Sequence, residues 1–114
     1  MTDKTTSIIT WILSIAAAAM FLMGSLPKLM GQAVEQFASW GYPATFSYLI
    51  GAAELAGGVG LLIPKVARWA ALGLILVMLG AAYTHISHSE GMRTLVPIAF
   101  AVVLGVIFKL RSQN

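Results

Sequence analysis

An all-α fold is predicted: a bundle of four transmembrane helices running up and down, with a short amphipathic surface helix between the first and second. Three features of the chain point to it. Apolar residues make up 59% and charged residues 10% of the 114 positions, and the mean hydropathy is +0.87, well outside the balance of soluble domains. The apolar residues fall into four long runs, at about 20 residues per spanning helix, with room left for turns and for no soluble domain. Lys and Arg stand singly or in pairs at the ends of those runs, so the net charge of +3 orients the chain in a lipid bilayer and is no footprint for nucleic acid. The reading is therefore a single membrane domain over residues 1–114. Cysteine is absent, which excludes disulfides, thiol redox cycling and iron–sulfur ligation by this chain.

The first span is expected over 7–27. Met1 to Thr6 is polar, the run from Ser7 to Leu26 is uninterrupted, Trp11 suits an interfacial anchor, and Pro27 marks the end. A cleavable signal peptide is the competing reading, since Ala17, Ala18 and Ala19 offer small residues. The run is too long for an ordinary signal core, and no polar segment precedes that site. Between Lys28 and Thr45 the composition changes, and a structureless loop of that length is unusual in so compact a chain. Met30, Ala33, Val34 and Phe37 recur at helical spacing opposite Gln32, Glu35, Gln36 and Ser39, the pattern of a helix lying at the membrane surface. Trp40-Gly41-Tyr42-Pro43 ends it, with both aromatics at headgroup depth and the Gly and Pro turning the chain.

The second span is expected over 46–63 and stops at Pro64-Lys65. The third covers 66–86, with Trp69 near its start, followed by a polar turn from Ser87 to Arg93. The fourth covers 94–109; it is short, and Lys109 serves as a snorkelling residue. Arg111 to Asn114 reads as a polar tail. With the termini and the turn after the second span on one side, that side holds Lys4, Lys65, Arg68, Lys109 and Arg111 against Lys28 and Arg93 on the other. Both termini are then cytoplasmic.

The second span carries a carboxylate, Glu54, near its middle, where a charge costs roughly 2.5 to 3.5 kcal/mol and calls for a partner inside the bundle. Ser47, Gly51 and Gly58 share its helical face, and Ala53, Gly57 and Gly60 form a second small-residue stripe that lets neighbouring backbones approach. Glu54 lies about 13 Å below the outer end of its span at 1.5 Å per residue. Lys28, Thr84 and His85 fall in the same half of the membrane, and Tyr48 and Tyr83 are close enough in register to join them. The bland interpretation is a Lys28–Glu54 ion pair, with Thr84 donating a hydrogen bond, that only fixes helix packing. The sharper one makes Glu54, Lys28, His85, Thr84, Tyr48 and Tyr83 a ligand-binding or proton-exchange group.

His85 and His88 share a helical face three residues apart, but two imidazoles without cysteine or aspartate fall short of a metal site, and none is expected. Haem between facing helices is disfavoured because both histidines lie at one helix end. Met20, Met23 and Met78 read as bundle packing.

Gly24-Ser25-Leu26-Pro27-Lys28-Leu29, Trp40-Gly41-Tyr42-Pro43, Gly51-Ala52-Ala53-Glu54-Leu55-Ala56-Gly57-Gly58, the Leu61-Leu62-Ile63-Pro64 ending and Gly80-Ala81-Ala82-Tyr83-Thr84-His85 together resemble the DoxX family of small four-helix membrane proteins. The resemblance covers nearly the whole chain. It implies a bacterial inner-membrane protein with both termini inside, and Lys28, Glu54 and His85 match positions of recurring polar residues. The family takes its name from the membrane subunit of a thiosulfate:quinone oxidoreductase, and relatives are linked to quinone or catechol resistance and to membrane redox complexes.

Function classes compete at this point. One is a redox-linked membrane subunit that binds a quinone or similar apolar ring compound in the outer half of the bundle, alongside a redox protein partner. Another is a non-enzymatic anchor or assembly protein whose small-residue stripes recruit a partner or a second copy as a homo-oligomer. A small proton-coupled exporter is a third, weakened by the sparse aromatic cage for a cationic drug.

Overall fold

A computed structural model describes residues 3–113; Met1, Thr2 and Asn114, the ends of the two polar stretches, lie outside the described residues. Helix α1 runs Lys4–Leu29, α2 Val34–Ser39, α3 Ala44–Leu61, α4 Ala67–Ser87 and α5 Leu95–Arg111, the last preceded by a 3-10 turn at Gly91–Thr94. No strand occurs among the described residues. The fold is an all-α bundle in which four helices are long and apolar enough to cross a membrane. Its longest dimension, 47 Å, matches a bilayer of about 40–45 Å including headgroups. Helix α1 packs on α3, α3 on α4, α4 on α5 and α5 back on α1, so α1 and α4 stand at opposite corners.

The boundaries follow from local chemistry. Asp3 caps α1 by accepting the Thr6 N–H at 2.7 Å, and that bond holds its carboxyl below the usual aspartate range. The helix runs two residues past Pro27, whose lost N–H bond and crowding of the Met23 carbonyl fall in the last turns of the helix and do not stop it. The stop comes from Gly31, at φ +84°. Its left-handed conformation lets Gln32 N–H reach Pro27 O at 2.8 Å and Gly31 N–H reach Lys28 O at 3.3 Å, a Schellman closure. Gly41, at φ +88°, closes α2 in the same way, with Tyr42 N–H on Phe37 O at 2.9 Å. The surface helix is six residues long. Its buried face starts at Ala33 and centres on Phe37, whereas Met30 is exposed.

Helix α3 is wedged between α1 and α4 by its two small-residue stripes. A Cβ added at Gly51 would lie 2.8 Å from Lys28 Cβ, and one at Gly60 would lie 2.8 Å from Ala70 Cβ. The first stripe therefore sets the approach of α1 and the second that of α4. Ala17, Ala18, Phe21, Leu61, Leu74, Met78, Leu104 and Ile107 fill the core. Met20 and Met23 are exposed on the bundle surface, so of the three methionines read as packing only Met78 is buried.

The C-terminal residues depart from the expected polar tail. Arg111 turns inward, with Nη2 3.2 Å from Ser14 Oγ and 3.4 Å from Leu61 O, and its guanidinium lies 4.5 Å from the Trp11 ring centroid. Leu61 ends α3, where carbonyls lack helical donors, and Arg111 supplies one from α5.

Candidate functional site

The bundle end that carries α2 and the α4–α5 turn encloses a cavity of about 730 Å³ between the diagonal helices α1 and α4. Phe21, Ile50, Val77, Met78, Pro97 and Phe100 form much of its apolar wall. Phe37, Trp40, Tyr42 and Phe46 roof it as one aromatic cluster, with successive ring centroids 4.9 to 6.5 Å apart. Edge and tilted ring contacts of this kind add to the apolar area that they bury.

The polar lining comes from three helices. Lys28, in the last turn of α1, places Nζ 2.9 Å from Glu54 Oε1 on α3, with Glu54 5% exposed overall. The contact is close but off-axis. Glu54 Oε1 is neutralised yet receives no well-directed hydrogen bond among the described residues. The ammonium also lies 3.4 Å from Gly24 O. Truncating either partner of such a pair strands a charge in low dielectric.

Thr84 does not donate to this pair. Its hydroxyl donates to Gly80 O, one turn back, at 3.0 Å and meets Tyr42 OH at 2.9 Å. A threonine inside a helix has its own i−4 carbonyl within reach, which takes its single proton. His85 lines the cavity with Nδ1 on Glu90 Oε1, and Trp40 Nε1–H donates to Glu90 Oε2 at 2.9 Å. The Trp40 ring stands edge-on to His85, 5.5 Å between centroids. These contacts tie the roof to the end of α4.

Glu90 reaches this position through the turn that ends α4. Ser89 sits at φ +55°, and Glu90 N–H bonds to His85 O at 2.9 Å, a Schellman closure built on a serine. The same geometry returns the Glu90 carboxylate to the His85 ring. The Trp40 indole first, then His85, hold that carboxyl below the ordinary glutamate range. His88 donates Nδ1–H to Thr84 O at 2.8 Å. Each histidine of the i, i+3 pair thus uses Nδ1 within the turn.

Of the residues singled out from sequence, Lys28, Glu54, Thr84, His85 and Tyr83 line one cavity. Tyr83 does so at the rim, 70% exposed. Tyr48 stands apart on the outer face of α3, its hydroxyl 2.8 Å from where a Cβ on Gly31 would be. Glu90 and the hydrogen bonds of Trp40 and Tyr42 were not singled out. The available signal was that Glu90 is the only carboxylate in the turn directly following two histidines.

Four apolar spans around a roofed, partly open cavity with a buried ion pair in its wall define a multi-pass integral membrane protein. The model of the DoxX-like family matches residues 12–107, and the chain belongs to that family. No curated protein and no solved structure gives a significant match.

Proposed function

We propose that this chain is the membrane subunit of a redox-linked system and binds a quinone or similar apolar ring compound in the roofed cavity. Glu54 and His85 exchange protons with the ring as it is reduced or oxidised, and Lys28 balances the charge on Glu54. The observation that carries this reading is an apolar cavity of about 730 Å³ on which Lys28, Glu54 and His85 converge. Its size falls within the roughly 300–1,000 Å³ of small-molecule sites, and a few polar groups in an apolar wall are the usual pattern of one. In this reading electrons reach the ring through a redox protein partner. The excess of Lys and Arg at the opposite end supports a cytoplasmic location for both termini in a bacterial inner membrane, with the cavity in the outer half.

Extraction into native nanodiscs followed by mass spectrometry of bound lipophilic molecules tests the proposal. A stoichiometric quinone or related ring compound is expected. It should be lost in Gly80→Trp, which fills open space on the cavity wall. A stoichiometric protein partner with no ring compound would overturn the proposal in favour of a non-enzymatic anchor. That second reading draws on a shallow groove on the α3–α4 face, where Ala53, Ala56 and Gly73 stand beside Val66, Trp69 and Val77, an apolar surface that leaves room for a neighbouring helix or a second copy.

A further inference from the structure

Counting protons around the cavity shows which way its polar groups face. Thr84 has one hydroxyl proton and gives it to Gly80 O, so the 2.9 Å contact with Tyr42 takes its proton from Tyr42. Both hydroxyls are left with lone pairs only. The Glu54 carboxylate, 5% exposed, receives no well-directed hydrogen bond among the described residues. Lys28 holds Glu54 by charge at 2.9 Å and gives one proton to Gly24 O, so its ammonium is the one fixed donor on the wall. Tyr83 and Gln36, both exposed at the rim, turn either way.

His85 decides the balance. The Trp40 indole only donates, and it occupies Glu90 Oε2; Glu90 Oε1 faces His85 Nδ1. An ionised carboxylate only accepts, so the proton between Oε1 and Nδ1 belongs to the histidine. A neutral His85 is thereby the Nδ1–H tautomer, and the nitrogen that this cavity-lining ring has left for a ligand is Nε2, a bare acceptor.

We propose that the cavity selects a ring compound bearing hydroxyl groups, a hydroquinone, catechol or other phenol, over the carbonyl-only quinone form, and that Glu90 is the positioning residue that sets this preference through the tautomer of His85. This rests on the cavity being a ligand site and adds which redox form it favours and the residue that decides it. A ring hydroxyl donates to the acceptors on the wall. A quinone carbonyl opposite His85 Nε2, Tyr42 or Thr84 meets lone pairs and leaves its own acceptor unsatisfied, a mismatch of about tenfold or more in affinity, whereas the Lys28 ammonium can serve either form.

The test uses the full chain in nanodiscs, without oxygen, at mildly alkaline pH. Nitrogen-15 NMR of labelled histidine should report His85 as Nδ1–H. A short-chain hydroquinone should bind about tenfold or more tighter than its own 1,4-benzoquinone. Glu90→Gln has one acceptor oxygen for two donors, so its amide N–H₂ faces Nδ1; His85 should move to the Nε2–H tautomer and the preference should shrink. Trp40→Phe removes the indole donor and should leave the tautomer unchanged. An Nε2–H tautomer in the parent overturns the role of Glu90, and equal or tighter quinone binding overturns the ligand preference while leaving the cavity as a ligand site. Binding of neither form overturns this inference together with the proposed function. The measurements on the parent need no variant to fold.

Discussion

Lys28 Nζ and Glu54 Oε1 meet 2.9 Å apart where α1 crosses α3, and the crossing is tight there because Gly51, one turn from Glu54, lies against Lys28 Cβ and the Leu29 backbone nitrogen. A charge pair and a missing side chain thus fix the same point. The ion pair sits in the cavity wall with Glu54 almost fully enclosed.

Glu54→Gln or Lys28→Met alone should lower the yield and thermal stability of folded protein, by roughly 3–5 kcal/mol for a stranded buried charge. Lys28 is the more exposed partner, so its removal should cost more than its own loss suggests, since Glu54 is the charge left behind. The double variant should recover part of the stability. It should also lose ligand-dependent protection of cells against quinones if Glu54 handles protons. Thermal unfolding in detergent gives the cycle, and simple addition without rescue would show that the two groups are not coupled.

Gly51→Ala should separate α1 from α3, since its Cβ would sit 2.8 Å from Lys28 Cβ and 3.3 Å from the Leu29 backbone nitrogen. Overpacking of this kind costs about 1–3 kcal/mol. Gly105→Ala on α5, where a Cβ would meet nothing within 4 Å, gains the same helix propensity without overpacking and serves as the comparison. Equal melting temperatures for the two variants would contradict the close crossing.

The hold of the roof on α4 should depend on pH through Glu90. Its carboxyl titrates below the ordinary value of 4.5 in the folded protein because the Trp40 indole and then His85 stabilise the charged form. Such a group contributes stability that is fully present above its unfolded value and is lost as pH falls through the folded one. Protection of the Trp40 indole proton from exchange should therefore drop on acidification below the usual glutamate range. In Glu90→Gln, whose amide oxygen still accepts from the indole and does not titrate, the protection should show no such step.

Single cysteines in the connection from α1 to α3 should label with a water-soluble maleimide according to burial. Gln32 and Gln36 are exposed and should react readily; Val34 is half-buried and should react slowly, and Phe37, 6% exposed, hardly at all. Four crossings put the reactive sites on the opposite side of the membrane from a reporter fused to the C-terminus, and the distribution of Lys and Arg predicts that the reporter is the cytoplasmic one. Uniform labelling would mean that the connection does not roof the cavity.

The sequence alone determined the class of this protein. Four apolar runs with breaks expected at Pro27, Trp40-Gly41-Tyr42-Pro43, Pro64-Lys65 and the polar turn from Ser87 to Arg93 admit few arrangements, because in lipid every backbone group must be satisfied within its own helix. It also determined that Glu54 needs a partner and that α3 is closely approached on two sides, since both stripes of small residues are local patterns of one helix. The meeting of Lys28 with Glu54 was legible because a single cation lies at matching depth on a neighbouring span. The particular contacts were decided by the tertiary structure. Thr84 bonds to Tyr42, Glu90 bridges His85 and Trp40, and Arg111 turns in to Ser14 and Leu61 O. Each joins residues far apart in the chain or depends on a turn conformation, such as the left-handed Ser89, that residue types do not specify. Hydropathy and helical period register depth and face; which donor finds which acceptor depends on how the helices rotate and close against one another.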